Sequence, residues 1–281
     1  MKLFRKIKSI FTTYNKHGLD GLVYAILRNL NIKTKYISII EKKKNYIEKK
    51  IIAATKKTVI RGNYKSTKLS CNTYWGGFDT SSKLLGFYEE QVQYKIVDLK
   101  KKYNLNYIVN FGSAEGYHII GLIKNQHFKE GLAFEIDTVG QKRLRENLSL
   151  NEIDHKIKIF GKANFEEVGM KLDEQKLQQT LFLVDIEGEE FNLFSAPNLK
   201  NFNKSVMIIE NHDFMIKNQT LVSNFFNLMN ENFDLEILEN GPRNPHSITE
   251  IKDLDDDERW LIMAEGRPHD MNWLIFTPKI N

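Results

Sequence analysis

The sequence predicts an α/β protein with a Rossmann-like, mostly parallel seven-stranded sheet, helices on both faces and a helical N-terminal extension. Two observations favour this fold class. From residue 84 onward, short apolar segments alternate with longer segments of helical periodicity, a pattern typical of parallel strands joined by crossover helices. A glycine-containing turn, residues 112–116, follows the first of these strands, where nucleotide-binding sheets hold their ligand.

The predicted elements alternate in the order that such a sheet requires. They are helix 86–101, strand 107–111, helix 117–125, strand 131–136, helix 139–150, strand 157–160, a helix near 165–177, strand 181–186, helix 189–194, strand 205–210, helix 221–230, strand 233–238 and, after a long insertion, strand 273–277. Residues 61–83 are rich in Gly, Ser, Thr and Asn and predict a loop. A domain boundary near residue 70 would separate an extension, residues 1–70, from the main domain, residues 71–281.

The N-terminal extension is strongly basic. Residues 1–70 hold 18 of the 41 Lys and Arg residues but 3 of the 36 Asp and Glu residues. Residues 3–14 have the periodicity of an amphipathic helix, which would lie on an anionic membrane surface or pack against this chain or a second copy. A solvated lysine-rich surface is the plain alternative.

Two further features of the sequence concern the cellular compartment of the protein. Apolar segments stay short of the roughly 20 residues that cross a bilayer, so the sequence predicts a cytoplasmic protein, peripheral at the inner membrane face if the extension binds lipid. The single cysteine, Cys71, excludes an internal disulfide bond.

The turn and the following strand point to a nucleoside ligand without a pyrophosphate. Gly112 and Gly116 allow a tight turn and close approach of the main chain. Glu135 follows Gly112 by 23 residues, near the interval at which an acid reaches ribose hydroxyls. The turn lacks the third glycine of dinucleotide-binding loops, and Glu115 would repel a pyrophosphate. Both features favour a cationic ligand such as S-adenosylmethionine (SAM), although a simple strand-to-helix turn has the same glycine spacing.

Several motifs together resemble the FkbM-like class I SAM-dependent methyltransferases over about residues 84–240. They are residues 109–117 (VNFGSAEGY), 134–137 (FEID), 146–147 (EN) and, most specifically, 184–190 (VDIEGEE). Residues 86–89 (GFYE), the segment from Glu210 to Asp213, and Arg267, Pro268, Met271 and Trp273 extend the resemblance. Asn110 departs from it, because many members carry an acid there.

The resemblance implies a cofactor site and a reaction. Ten residues are its candidate SAM-binding residues: Gly112, Ser113, Ala114, Glu115, Gly116, Glu135, Ala163, Asn164, Asp185 and Glu89. Glu135 would bind the ribose, Ala163 and Asn164 would flank the adenine, and Asp185 would lie near the sulfonium. His118 is a weaker pocket candidate. The implied reaction is O-methylation of a hydroxyl on a sugar, a polysaccharide precursor or a similar small metabolite.

The ends of the fourth and fifth strands carry the candidate catalytic residues Asp185, Glu210 and His212. In one mechanism Asp185, Glu210 and Asn211 bind Mg2+ or another divalent cation, which activates the acceptor oxygen. In another, His212 is a general base without a metal. In a third interpretation, Glu187 and Glu189 cap the next helix and His212 has a structural role.

The segment between the sixth and last strands would cover the acceptor, with Arg243, His246 and Arg267 as candidate substrate contacts. Three other functions remain open at this point. They are a nucleotide-dependent oxidoreductase, a non-catalytic methyltransferase-like binding protein, and, least favoured, nucleic-acid methylation through the basic extension.

Overall fold

Seven strands form one mixed sheet in the order β3-β2-β1-β4-β5-β7-β6 in the computed structural model of the chain. Their bounds are β1 Tyr107–Phe111, β2 Glu130–Phe134, β3 Ile157–Phe160, β4 Thr180–Val184, β5 Val206–Glu210, β6 Phe233–Leu238 and β7 Trp273–Pro278. Strands β1 to β5 pair in parallel, whereas β7 is antiparallel to both β5 and β6. The predicted sheet of seven mostly parallel strands is therefore present, and its order reverses between β1 and β4.

The α-helices whose bounds the structure gives are numbered in chain order. They are α1 Ile39–Thr55, α2 Thr80–Leu84, α3 Glu90–Lys102, α4 Tyr117–Lys124, α5 Thr138–Asn151, α6 Phe165–Lys171, α7 Glu174–Leu177, α8 Glu190–Leu193, α9 Gln219–Asn232 and α10 Asp256–Met263. In the part of the chain that the structure describes, no helix combines the length and apolarity needed to cross a membrane.

The structure describes residues 14–15, 18–23, 25–26, 39–71, 79–194, 199, 201–265, 267, 269 and 271–279. The predicted amphipathic helix over residues 3–14 lies outside this set except for Tyr14, which is helical and exposed. The chain divides into two compact units, Met1–Lys50 and Ile51–Asn281, and the second contains the sheet.

The central strands β1, β4 and β5 are buried on both faces of the sheet, to which successive side chains point alternately. On one face, Val109 and Phe111 of β1 belong to an apolar cluster with residues of α6, α8 and α9. On the other, Gly131 of β2 leaves no room for a side chain between Ile108 of β1 and the isoleucines of α4. The strands that carry the candidate site are thus fixed from both sides.

Two predicted helices differ from the observed ones, and backbone conformation explains each difference. The helix predicted from residue 86 begins at Glu90, because Gly86 and Glu89 have left-handed φ angles of +75° and +48°. The single helix predicted near 165–177 is two helices. Leu172 is extended, and the Asp173 side chain accepts a hydrogen bond from the Lys176 amide, which starts α7.

The described parts of the segment predicted as a loop, residues 61–71 and 79–83, are packed within the sheet unit. Tyr64 is fully buried and lies against Gly121 of α4, where a Cβ atom would overlap its ring. The Asn151 side chain of α5 bonds both the amide and the carbonyl of Lys68, at 2.9 and 2.8 Å. The end of the segment forms α2, which is buried. The predicted boundary near residue 70 therefore falls inside a compact unit that starts at Ile51.

We expect a chain that begins at Ile39 to keep a stable sheet domain and one that begins at Cys71 to lose much of that stability. Removing a buried ring such as that of Tyr64 costs about 3–5 kcal/mol, equivalent to a fall of roughly 10 °C in Tm for a domain of this size. Thermal unfolding followed by circular dichroism measures the difference. Equal Tm values for the two chains would contradict this packing role of residues 51–70.

Candidate functional site

The turn after β1 is tightly packed, and Gly112 within it lines a pocket. Gly112 has a φ angle of +76°, and a Cβ atom there would overlap the carbonyl oxygen of Asp185. The amides of Gly112 and Ser113 both donate to the carbonyl of Phe134, at 2.9 Å each. The turn is therefore held between the ends of β2 and β4, which glycine permits and a larger residue does not.

A pocket of about 640 Å³ opens beside this turn, at the carboxyl ends of the strands. It lies where the strand order reverses, the usual place for ligands in open α/β sheets. Six of the residues predicted to bind the cofactor line it, namely Gly112, Ala114, Glu135, Ala163, Asn164 and Asp185.

Glu135 is the most rigidly placed carboxylate of this pocket. Its Oε2 accepts a hydrogen bond from the Ala114 amide at 2.8 Å, and its Oε1 accepts one from the Asp137 amide at 2.8 Å. Each carboxylate oxygen has a second lone pair, so both can accept a further hydrogen bond from a ligand. Glu135 lines the pocket, and the prediction that it binds a ribose stays a prediction.

Four other predicted cofactor residues lie outside the pocket lining and are held by protein contacts. The Ser113 hydroxyl donates to the Phe134 carbonyl at 3.2 Å. Gly116, with a φ angle of +87°, precedes the first residue of α4. Glu89 is buried, and its Oε2 lies 2.7 Å from Nε2 of His118. Glu115, the fourth, is discussed next.

Glu115 forms a buried ion cluster with two residues that the sequence did not single out. Lys83 Nζ contacts Glu115 Oε1 and lies 2.6 Å from Asp79 Oδ2. Burial alone would raise the pKa of Glu115, but the Lys83 ammonium outweighs burial and lowers it. Because Glu115 turns away from the pocket, it is not the group that would repel a pyrophosphate there.

A second cluster of titratable groups follows β4 and β5. His212 is buried, with Nδ1 3.0 Å from Glu190 Oε1. Its Nε2 lies 3.4 Å from Glu210 Oε2 and 3.8 Å from both Asp185 Oδ1 and Glu187 Oε2. The predicted catalytic residues Asp185, Glu210 and His212 are thus brought together, and Glu187 and Glu190 join them.

Burial and neighbouring charges set the pKa values of this second cluster. Burial raises the pKa of Asp185 well above its usual value, and the Glu210 charge raises it further. Burial also acts to raise the pKa of Glu210, but the nearby His212 imidazole and Arg267 guanidinium lower it to about 2. For His212 burial acts to lower the pKa, whereas Glu190, Glu210 and Asp185 raise it to about 11. An imidazole protonated at neutral pH cannot accept a proton, which does not favour a general-base role in this arrangement.

Three of the predicted site residues already have charged partners. Arg267 contacts Glu89, Glu210 and, at 2.9 Å, Glu265. Arg243 lies 2.6 Å from Glu265 and donates to the Met263 carbonyl. His246 is half exposed and lies 3.2 Å from Asp256. Of the predicted substrate contacts, only Arg267 therefore reaches the cluster after β5.

The amide of Asn211, predicted as a metal ligand, is engaged at both ends. Its Nδ2 donates to Asn272 Oδ1 at 3.2 Å, and its Oδ1 accepts from the Asp213 amide at 3.2 Å. Among the described residues, a different group, Asp185, Glu187 and His212, offers donor atoms that all lie within 4.8 Å of one another.

Comparisons with known proteins give likenesses of structure only. No family model and no curated protein matches the sequence. A Klebsiella pneumoniae protein described as a candidate O-methyltransferase has a TM-score of 0.45 at 13% identity, covering 90% of this chain and 94% of that one. The methyltransferase domain of METTL16 scores 0.46 at 11% identity, covering 68% of each chain. The precorrin-6y C5,15-methyltransferase of Geobacter metallireducens scores 0.42 at 11% identity, covering 68% of this chain and 89% of that one. At these values no function follows from the likenesses.

We expect Lys83→Met to destabilise the protein by about 3–5 kcal/mol, because it leaves Asp79 and Glu115 buried without their cation. Lys95→Met is the matched control, since it removes an ion pair with the exposed Glu236, worth about 0–1 kcal/mol. Denaturant unfolding measures both free energies of unfolding.

The lowered pKa of Glu115 contributes stability at neutral pH that is lost as the pH falls through that pKa. The difference in free energy of unfolding between wild type and Lys83→Met should therefore become smaller in acid. Equal losses in the two variants at neutral pH would contradict the role of Lys83.

Proposed function

We propose that this chain is a SAM-dependent methyltransferase that methylates a hydroxyl oxygen of a sugar, a polysaccharide precursor or a similar small metabolite. The observation that carries the proposal is the placement of Glu135. Its carboxylate is fixed by two main-chain amides in a pocket that Gly112 also lines. A carboxylate in this position can accept hydrogen bonds from both hydroxyls of an unphosphorylated ribose.

The charge of the pocket supports a cationic cofactor. Four acidic residues line it, Glu135, Asp185, Glu187 and Glu189, against one basic residue, Lys162. Asp185 Oδ1 is buried and has no hydrogen-bond partner among the described residues, and an unpaired buried carboxylate oxygen is costly. The ammonium and sulfonium groups of SAM suit these acids, whereas a pyrophosphate would be repelled.

The size and apolar lining of the pocket support the rest of the cofactor. A volume of about 640 Å³ is in the range of small-molecule and cofactor sites. Apolar residues, among them Ala163, Phe165 and Leu193, also line the pocket. They offer a surface for a purine ring, as the sequence resemblance implies for Ala163 and Asn164.

When bound, SAM supplies a methyl group on a positively charged sulfur. The work left to the protein is to align an acceptor and exclude water. Asp185 belongs both to the pocket lining and to the surroundings of His212, so the acceptor would enter from the side of that cluster. The resemblance to FkbM-like enzymes supports a hydroxyl on a sugar or a similar metabolite as the acceptor.

Glu135→Ala should weaken SAM binding by about 1–3 kcal/mol, because the ribose hydroxyls lose a charged acceptor. Glu130→Ala is the matched control, since Glu130 is the exposed first residue of the same strand, at its other end. Calorimetric titration with SAM and with S-adenosylhomocysteine measures the change, and circular dichroism verifies the fold. An unchanged dissociation constant in folded Glu135→Ala would show that this carboxylate does not bind the ribose.

The acidic lining also predicts which nucleotide ligands bind. We expect SAM and S-adenosylhomocysteine to give measurable calorimetric binding and NADH to give none, because the NADH pyrophosphate would face the pocket's carboxylates. Binding of NADH in preference to SAM would instead support the oxidoreductase alternative. A screen of small hydroxylated metabolites with labelled SAM then identifies the acceptor.

A further inference from the structure

The Nε2 atom of His212 is a buried polar atom without a partner. The side chain is 1% exposed, and Nε2 has no hydrogen-bond partner among the described residues. Three carboxylate oxygens surround it, Glu210 Oε2 at 3.4 Å and Asp185 Oδ1 and Glu187 Oε2 at 3.8 Å each. A buried ring nitrogen that faces several carboxylates without a hydrogen bond to any of them needs an explanation, and a bound cation is one that fits their charge.

The opposite nitrogen of His212 is held in the way that metal-binding histidines are held. Nδ1 lies 3.0 Å from Oε1 of Glu190, a fully buried carboxylate. Because a carboxylate accepts and does not donate, Nδ1 carries the hydrogen in this pair. Glu190 is fixed in turn, since its Oε2 accepts from the Gly188 amide at 3.0 Å. A carboxylate that orients the ring from behind is the usual outer partner of a histidine that ligates a metal.

We propose that Asp185, Glu187 and His212 bind one divalent first-row transition ion, with Glu190 as the residue that positions the imidazole. Donor atoms about 2.1 Å from one ion lie roughly 3 to 4.2 Å apart, and the two distances from His212 Nε2 fall in this range. One nitrogen and two oxygen donors suit Mn2+, Co2+ or Zn2+ better than Mg2+, which prefers oxygen donors alone. An ion here takes the place of a proton on Nε2.

This ligand set differs from the one that the sequence predicted, Asp185, Glu210 and Asn211. Glu210 Oε1 is bound by Arg267. The side-chain oxygen of Asn211, Oδ1, accepts a hydrogen bond from the main-chain amide of Asp213. Glu187, by contrast, has an exposed side chain whose only recorded ion-pair partner among the described residues is His212.

Ion binding at this site does not depend on methyl transfer. Asp185 and Glu187 also line the pocket proposed for the cofactor. A role of the ion in holding an acceptor oxygen therefore rests on the proposed function. Binding is therefore tested on the full-length protein with metal alone, without SAM or acceptor. Failure of one proposal then leaves the other standing.

The test is titration of metal-stripped protein with Mn2+, followed by electron paramagnetic resonance, and with Co2+, followed by visible absorption. We expect one ion per chain, and spin-echo modulation from a directly bound 14N atom. Glu187→Gln should weaken binding about tenfold or more, a loss of about 1.4 kcal/mol. His212→Ala should remove the 14N signal. If His212→Ala fails to fold, Glu187→Gln alone decides, because its side chain is exposed on a turn.

Two variants serve as matched controls. Glu189→Gln removes an exposed neighbouring carboxylate outside the ligand set, and Asn211→Ala removes the amide of the alternative set. Both should bind as the wild type does. Absence of Mn2+ and Co2+ binding to the wild type, or binding that Glu187→Gln leaves unchanged, would overturn the proposal, and loss of binding in Asn211→Ala would support the alternative set.

Discussion

The contact between the Gly112 turn and the end of β4 determines where everything else in the site lies. Gly112 packs against the Asp185 carbonyl so closely that a methyl group would not fit. The last residues of β1 and β4 are paired directly, Phe111 with Val184, so the chain segments that follow them must also meet. This contact gives the pocket a main-chain wall and places Asp185 beside both the pocket and His212. Asp185 is therefore the residue that the pocket and the surroundings of His212 share.

The carboxylates of the site differ in what compensates their charge. Lys83 compensates Glu115, Arg267 compensates Glu210, and main-chain amides bond Glu135. Asp185 and Glu187 have no recorded Lys or Arg partner among the described residues. Uncompensated acids attract cations, so Asp185 and Glu187 are the acids that we propose bind one, whereas Glu115 and Glu210 already have a cationic partner within the protein.

Much of this arrangement could be predicted from the sequence because it depends on local pattern. The bounds of β1, β3 and β6 agree with the predicted strands, since each is a short apolar segment between polar residues or turns. Gly112 and Glu135 could be located because their spacing reflects one strand-helix-strand unit. The sequence also predicted that Asp185 and His212 lie at the same sheet edge, because the carboxyl ends of parallel strands meet there.

The remainder depends on which way individual side chains turn, which spacing does not reveal. Ala114 and Glu115 are neighbours in the turn, yet Ala114 lines the pocket and Glu115 is buried against Lys83. Lys83 lies 32 residues earlier, in a segment whose composition predicts a loop. Glu190 belongs to an acidic motif whose members look equivalent in sequence. In the structure the two residues differ, because Glu190, the first residue of α8, contacts His212, whereas Glu189, just before it, is exposed.

The two mechanisms suggested by the strand ends make different demands on the same imidazole atom. A general base must begin neutral at Nε2 and carry a proton afterwards, and the surrounding Asp185, Glu187 and Glu210 carboxylates would hold that proton tightly. A metal ligand also needs a free lone pair at Nε2, but the ion itself neutralises those carboxylates. The hydrogen on Nδ1, fixed by Glu190, is compatible with both. What distinguishes them is Glu187, which strengthens proton retention in the first mechanism and supplies a donor oxygen in the second. The charge around His212 therefore favours the proposed cation over a proton as the partner of Nε2.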